Sequence, residues 1–229
     1  MNNKQSKAAA IIVAAGESRR MEGMDKVFAM LGGEPILARV IDAFQKCDMI
    51  TQVVVVVSAK SLEPCRQLVA EGGWDKVTDV CLGGRRRQDS VAAGLKMLKD
   101  CDWIIIHDGA RPLVTVDLIE RGLEAARETG AAAAAVPVTD TIKVVGDDEI
   151  VMGAPPRRNL RAVQTPQVFR FDIIKKAYQQ AKGDVTDDAS LVEQAGYKVK
   201  LYTGSYDNIK ITTPDDLALA EILWRKYER

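Results

Sequence analysis

Histidine is almost missing from this sequence: among 229 residues a single imidazole, His107, is present. The four cysteines, Cys47, Cys65, Cys81 and Cys101, form no Cys-x-x-Cys pair. With one histidine beside them a structural zinc site is not expected, and reduced thiols are the default. No histidine, cysteine or serine arrangement suggests nucleophilic catalysis. Apolar runs are short, the longest being Ala8 to Ala15 and Ala131 to Val138, well under the roughly eighteen residues of a membrane span. Lys4 and Lys7 ahead of the first run imitate a secretory signal, but the run passes directly into Glu17, Arg19 and Arg20, so a cytoplasmic protein is expected. Thirty-two basic residues balance thirty-two acidic ones, which argues against a nucleic-acid polymer as partner and leaves local clusters free to bind one small anion. Internal repeats, low-complexity segments and linkers are absent too. A chain of this length is read as a single domain, residues 1–229, with an elaboration.

What is present begins with Ala9 to Val13, an apolar, β-branched run that breaks at Ala14, Ala15 and Gly16 and then shows Arg19, Arg20 and Lys26. This reads as a buried strand feeding a phosphate-cradling loop, with small residues for close backbone approach and cations for charge. Neither the Walker A pattern nor Gly-x-Gly-x-x-Gly is found there. A plain glycine turn with solvated basic residues is the competing reading.

Apolar spacing after Pro35 predicts a helix through Ile36, Val40, Ile41 and Phe44. The five valines Val53 to Val57 predict a strand covered on both faces. A helix over Leu62 to Ala70, a strand over Val77 to Leu82, the loop Gly83 to Ser90 and a helix through Val91, Leu95 and Leu98 repeat the pattern. Trp103 to His107 is a strand ending at Asp108-Gly109-Ala110-Arg111-Pro112, and Val116 to Arg127 a helix. Alanine-rich Ala131 to Val136 lies between Gly130 and Pro137, so a fifth strand is expected against its helix propensity. Such alternation specifies an α/β fold with a mostly parallel sheet. Ligands in these sheets bind beyond the carboxyl ends of the strands, which gathers Gly16 to Lys26, Gly83 to Ser90 and Asp108 to Arg111 on one edge.

Between Thr139 and Gln167 the alternation fails. Thr141 to Val145 and Ile150 to Met152 flank a Gly-Asp-Asp turn and predict a projecting β-hairpin arm, at about 139–161. Beyond it, Phe171 to Ala181 and a segment capped at Thr186 to Ser190 and running to Ala195 are helices. Val199 to Tyr202 and Ile209 to Ile211 are expected strands, and Pro214 opens the last helix.

Asp108 ends a buried strand among arginines, where a carboxylate is expected to be ionised and able to hold Mg²⁺ together with substrate phosphates. A turn residue paired with Arg111 is the bland alternative. His107, inside an apolar strand, reads as structural. Gly83 and Gly84 could admit a nucleoside, and Arg85, Arg86 and Arg87 could meet a triphosphate or form a solvated patch. A second basic group, Arg157, Arg158 and Arg161 with Lys210, suggests a second phosphate-bearing ligand.

In order, AAGESRRM, Lys26, GGRRRQDSV, HDGARP, DTIK, QTPQ, TDDAS and NIKITTPDDLALAE resemble the 2-C-methyl-D-erythritol 4-phosphate cytidylyltransferase family of the non-mevalonate isoprenoid pathway, across residues 8 to 225. The resemblance implies a Rossmann-like nucleotidyltransferase body with a dimerising β-arm, and transfer of CMP from CTP to the sugar-alcohol phosphate with Mg²⁺ and release of pyrophosphate. It places transition-state roles on Arg20 and Lys26, and positioning of the attacking phosphate on Arg158 and Lys210. Asp108 would hold the metal; Ala14, Ala15, Gly16, Gly83, Gly84 and Ser90 would line the CTP pocket; Thr141 and Thr186 would approach the second substrate. The sequence departs from the family's usual residues at Ser18, Asp25, Val27 and Arg85, and has Gly109 in place of a common alanine, a change expected to be harmless. A cytidylyltransferase for another polyol phosphate, such as ribitol 5-phosphate, shares the same cations. A non-catalytic nucleotide-binding protein is disfavoured by Arg20, Lys26, Asp108, Arg158 and Lys210 occurring together.

Overall fold

A computed structural model describes residues 6–16 and 26–227. Strand β1 is Ala8–Ala14, and a short 3-10 turn stands at Lys26–Phe28. A two-residue hairpin of β2 (Met30–Leu31) and β3 (Glu34–Pro35) then enters α1 (Ile36–Lys46). Pro35, expected to open that helix, is its N-cap. Gly32 and Gly33 form the hairpin turn at φ of 55° and 81°, a left-handed pair that glycine adopts without a Cβ clash. The chain continues through β4 (Ile50–Val57), α2 (Leu62–Gly72), β5 (Val77–Leu82), α3 (Arg87–Met97), β6 (Trp103–Asp108), α4 (Val116–Thr129) and β7 (Ala131–Pro137).

The arm holds β8 (Val144–Val145) and β9 (Val151–Gly153), shorter than the predicted hairpin strands, around a turn in which Glu149 N donates to Gly146 O at 3.1 Å. The chain then returns as β10 (Arg161–Arg170), followed by α5 (Phe171–Gln180), α6 (Asp188–Gln194), β11 (Lys200–Thr203) and α7 (Pro214–Tyr227).

Seven strands form one sheet in the order β11-β7-β10-β6-β1-β4-β5. The pairs of β1 with β4 and β6, of β4 with β5 and of β7 with β11 are parallel; β10 alone runs antiparallel, between β6 and β7. Its direction follows from the arm. The chain leaves the sheet at the carboxyl end of β7 and comes back from that same edge, so the returning strand can only run the opposite way. Ladder pairing between β10 and β7 skips from Val163 to Gln167, across Pro166, which has no N–H to donate.

Both faces of the sheet are covered, as the valine run requires: Val53 to Val57 are wholly buried. One face packs Ala10, Ile12, Val55 and Ala134 against Leu37, Ile41 and Phe44 of α1 and Leu123 of α4; the other packs Ile11, Val56, Ile106 and Phe169 against Val91 of α3, Ile174 of α5 and Val192 of α6. The alanines of β7 do form a strand, because hydrogen bonding to β10 and β11 and burial on both faces outweigh helix propensity. A third cluster joins Leu31, Ile36, Leu113, Ile211, Ala220 and Leu223, so α7 backs the hairpin that follows Lys26. The expected strand at Ile209–Ile211 does not form; Ile211 N donates instead to Ala110 O at 2.8 Å, tying that extended segment to the turn after β6. Among the described residues no helix is long and apolar enough to cross a membrane.

Candidate active site

The carboxyl ends of the parallel strands open on a cleft of ≈ 370 Å³. Its floor is glycine and alanine. Ala14, Ala15 and Gly16 come from the end of β1, and Gly83 and Gly84 from the end of β5. A Cβ on Gly83 would run into Ala15 Cβ and Ser90 Oγ, so glycine alone fits between the two loops. Buried Ser90 accepts a hydrogen bond from Gly84 N at 3.1 Å and donates to Arg86 O at 3.2 Å, which fixes the turn into α3. Gly109 is more than harmless: a Cβ there would stand 2.9 Å from Ala14 Cβ, so the glycine lets the β6 loop close on β1.

Three arginines at the start of α3 take three different environments. Arg85 is exposed on the cleft wall. Arg86 closes the helix cap, with Nη2 2.7 Å from Asp89 Oδ1, and reaches Asp184 at 2.7 Å. Arg87 turns inward, its Nη1 2.6 Å from Asp188 Oδ2 and its Nε 3.4 Å from Asp108 Oδ1. Arg86, though it lines the cleft, is thus occupied by the cap and the neighbouring loop.

Asp108, at the end of β6, is the negative centre of the cleft. Lys210 Nζ lies 2.9 Å and Arg111 Nε 3.5 Å from its Oδ2. Burial would raise its pKa, but Lys210, then Arg87 and Arg111, outweigh that and hold the carboxyl well below the usual carboxylate range. Asp108 is ion-paired to Arg111, as the plainer reading expected, and it also lines the cleft. Its backbone is pinned by strand β10, whose Thr165 Oγ1 accepts from Asp108 N at 3.0 Å.

His107 is structural, as expected. It is fully buried, with Nδ1 3.1 Å from Thr165 Oγ1 and Nε2 3.2 Å from Arg111 O. Burial pushes its pKa down to about 4, so the ring is neutral near pH 7.

Of the residues expected to carry function, Ala14, Ala15, Gly16, Lys26, Gly83, Gly84, Ser90, Asp108 and Lys210 share this cleft. Thr141 and Arg158 do not: both are exposed, one on the arm, the other in a shallow groove at the arm's base with Arg157 and Arg161. Thr186 is exposed as well, 3.5 Å from Ser190 Oγ, and within the expected capping stretch Thr186 to Ser190 it is Asp187 that caps α6. Arg20, with Ser18 and Asp25, lies outside the described residues. Two parts of the site were not foreseen. Ser58 and Ala59 line the cleft from the end of β4, where the rule that ligands gather at strand carboxyl ends would have found them. Asp188 stands within the TDDAS stretch, but nothing in the sequence marked it as the partner of Arg87, 101 positions away.

The sequence matches the family described as IspD, 2-C-methyl-D-erythritol 4-phosphate cytidylyltransferase, over residues 8–226. A protein of that name from Dehalococcoides mccartyi strain CBDB1 is 51% identical over 220 residues, covering 96% of this chain and 97% of the relative. Another, from Alkaliphilus oremlandii, is 47% identical over 222 residues and covers 94% of each chain. Among solved structures, 4-diphosphocytidyl-2C-methyl-D-erythritol synthase from Anaerococcus prevotii superposes with a TM-score of 0.86 at 29% identity, covering 96% of this chain and 97% of the other. The 2-C-methyl-D-erythritol 4-phosphate cytidylyltransferase of Thermus thermophilus gives 0.76 at 34% identity, with 94% and 98% coverage. On the strength of the full-length match and of these relatives, the chain belongs to the 2-C-methyl-D-erythritol 4-phosphate cytidylyltransferase family.

Proposed function

We propose that this protein transfers CMP from CTP to 2-C-methyl-D-erythritol 4-phosphate and releases pyrophosphate, as one cytoplasmic nucleotidyltransferase domain. The observation that carries the reading is the cleft itself: a glycine and alanine floor, the first turn of an eleven-residue helix, and Lys26 and Lys210 converge at one sheet edge. Such a site suits a triphosphate. The acceptor phosphate is already anionic, so its oxygen attacks the α-phosphorus without a general base, and the pyrophosphate departs with the electron pair of the broken P–O bond. What the protein must supply is positive charge against two approaching phosphates, the part assigned to Arg20 and Lys26.

The ionised carboxylate of Asp108 on the cleft wall suits a hard divalent cation such as Mg²⁺, with the triphosphate completing its oxygen shell. Bound there, the cation would neutralise charge on the departing pyrophosphate. Lys210, Arg158, Thr141 and Thr186 are assigned to the second substrate.

Arg158 and Thr141 lie away from the cleft, on an arm whose apolar side chains face water; Met152 is 75% and Ile150 64% exposed. Such a hairpin is not stable alone. We infer a twofold homodimer in which the arm of each chain, at about 139–161, packs on its mate and brings Arg158 to the neighbouring cleft.

A coupled pyrophosphate-release assay tests the assignment, with CTP set against other nucleoside triphosphates and methylerythritol phosphate against ribitol 5-phosphate. Turnover is expected with CTP and methylerythritol phosphate, abolished by a chelator. Faster turnover with ribitol 5-phosphate would overturn the acceptor assignment.

A further inference from the structure

Behind the cleft, Asp188 and Asp108 contend for one guanidinium. Asp188 is the better placed: its side chain is 2% exposed, and its Oδ2 lies 2.6 Å from Arg87 Nη1, against 3.4 Å from Arg87 Nε to Asp108 Oδ1. Tyr178, on α5, donates its hydroxyl to the other oxygen of Asp188 at 2.6 Å. Neither carboxylate is free to drift. Gln167 of β10 accepts from Ala189 N at 3.0 Å and donates to Asp187 at 2.7 Å, anchoring the first turn of α6. Thr165 of the same strand anchors Asp108. Arg87 thus sits between two acids fixed to one strand, drawn towards the one outside the cleft.

The charge arrangement around Asp108 makes this matter. Lys210 and Arg111 both face Oδ2, while Arg87 stands off Oδ1 at the outer limit of a hydrogen bond. We propose that Asp188 is a positioning residue for Asp108: by holding the Arg87 guanidinium on its own side, it keeps Oδ1 available to a divalent cation at the nucleotide. The inference rests on the cation role proposed above for Asp108. Without the charge of Asp188, Arg87 would relax onto Asp108 and cap that oxygen, leaving three cations against one carboxylate.

The test reads cation binding rather than turnover. Mn²⁺ is titrated against the enzyme with CTP and no acceptor phosphate, and free Mn²⁺ is followed by electron paramagnetic resonance against a CTP-only control. Asp188→Asn should weaken protein-dependent Mn²⁺ binding by about fivefold or more, through the added charge at Asp108. Adding Arg87→Gln to that variant should restore affinity to within about twofold, because the capping charge is gone and both halves of the buried pair are removed together. Unchanged binding in Asp188→Asn, or a double variant weaker still, would overturn the inference and leave the proposed reaction standing. Should Asp188→Asn not fold, the double variant decides by itself, a loss of more than about twofold counting against the proposal. Wild-type enzyme showing no Mn²⁺ binding sensitive to Asp108→Asn would remove the cation role of Asp108, and this inference with it.

Discussion

The cleft and the arm are made of opposite material. In the cleft, charges are sunk among small residues and set against one another: Asp108 faces Lys210, Arg87 and Arg111, and Arg87 faces Asp188. On the arm, Ile142, Val144, Val145, Ile150, Val151 and Met152 face water. Burial of charge is costly unless a partner is built in, and exposure of apolar surface is costly unless a partner arrives. Among the described residues, the buried Asp108 and Asp188 of the first region meet cations within the chain, whereas the second exposes apolar surface in a single copy. A lone chain therefore carries paired charges in its cleft and water-facing apolar side chains on its arm.

The largest expected effect breaks the charged region. Lys26→Ala should lower turnover by roughly 10²- to 10³-fold while CTP affinity falls much less, because a charge aimed at the transition state acts mainly there. Single-turnover rates with a separate CTP-binding titration check this; near-normal turnover would remove Lys26 from the mechanism.

A second expectation concerns the neutral ring behind Asp108. The folded-state pKa of His107, about 4, lies below the ordinary 6.5. Between those values the unfolded chain takes up a proton that the folded chain refuses. Stability from this residue is therefore complete above pH 6.5 and is lost as the pH falls towards 4, by about 3 kcal/mol at most. Urea unfolding at several pH values should show this loss, and His107→Gln should lack that part of the slope. Equal slopes in the two proteins would mean that the buried ring is protonated in the fold.

The smallest effect sharpens the contrast directly. Lys26→Ala and Arg158→Ala chains, each inactive alone, are mixed and allowed to exchange. If a cleft draws Lys26 from one chain and Arg158 from its mate, half of the dimers carry one intact site, and roughly a quarter of normal activity returns. Verified mixed dimers without activity would place both residues in one chain and confine the arm to assembly.

The alternating body was legible because its signals are local. Five consecutive valines and repeated glycine loops at strand ends fix a covered parallel sheet and its ligand edge without knowledge of partners. Strand β10 was not legible. Gln164-Thr165-Pro166-Gln167 reads as a loop, being polar and proline-interrupted, yet Gln164, Thr165 and Gln167 are buried. They bond instead to distant groups: Thr165 to His107 and Asp108, Gln167 to Asp187, and Gln164 to Ser205 O at 2.9 Å. Ile209–Ile211 misled in the opposite sense, since alternating apolar residues resemble a strand whether or not a neighbour has an edge to offer. The hairpin at Gly32 and Gly33 carried a readable signal in its paired glycines, but the pull of Pro35 towards a helix start hid it. The pair of Arg87 and Asp188 spans 101 positions, and charge patterning reads only near neighbours.

Helix α7 has a consequence for the order in which the molecule is made. It begins four residues after Lys210, yet it backs the hairpin just beyond Lys26: Gly32 N donates to Glu221 at 3.1 Å, and Arg39 stacks on Trp224 at 4.3 Å. A chain growing from its amino terminus exposes the glycine floor and Asp108 long before it can cover Leu31 and Ile36 or present Lys210. On the ribosome, the central strands can therefore assemble before the wall behind the hairpin is complete, which must await the emergence of α7.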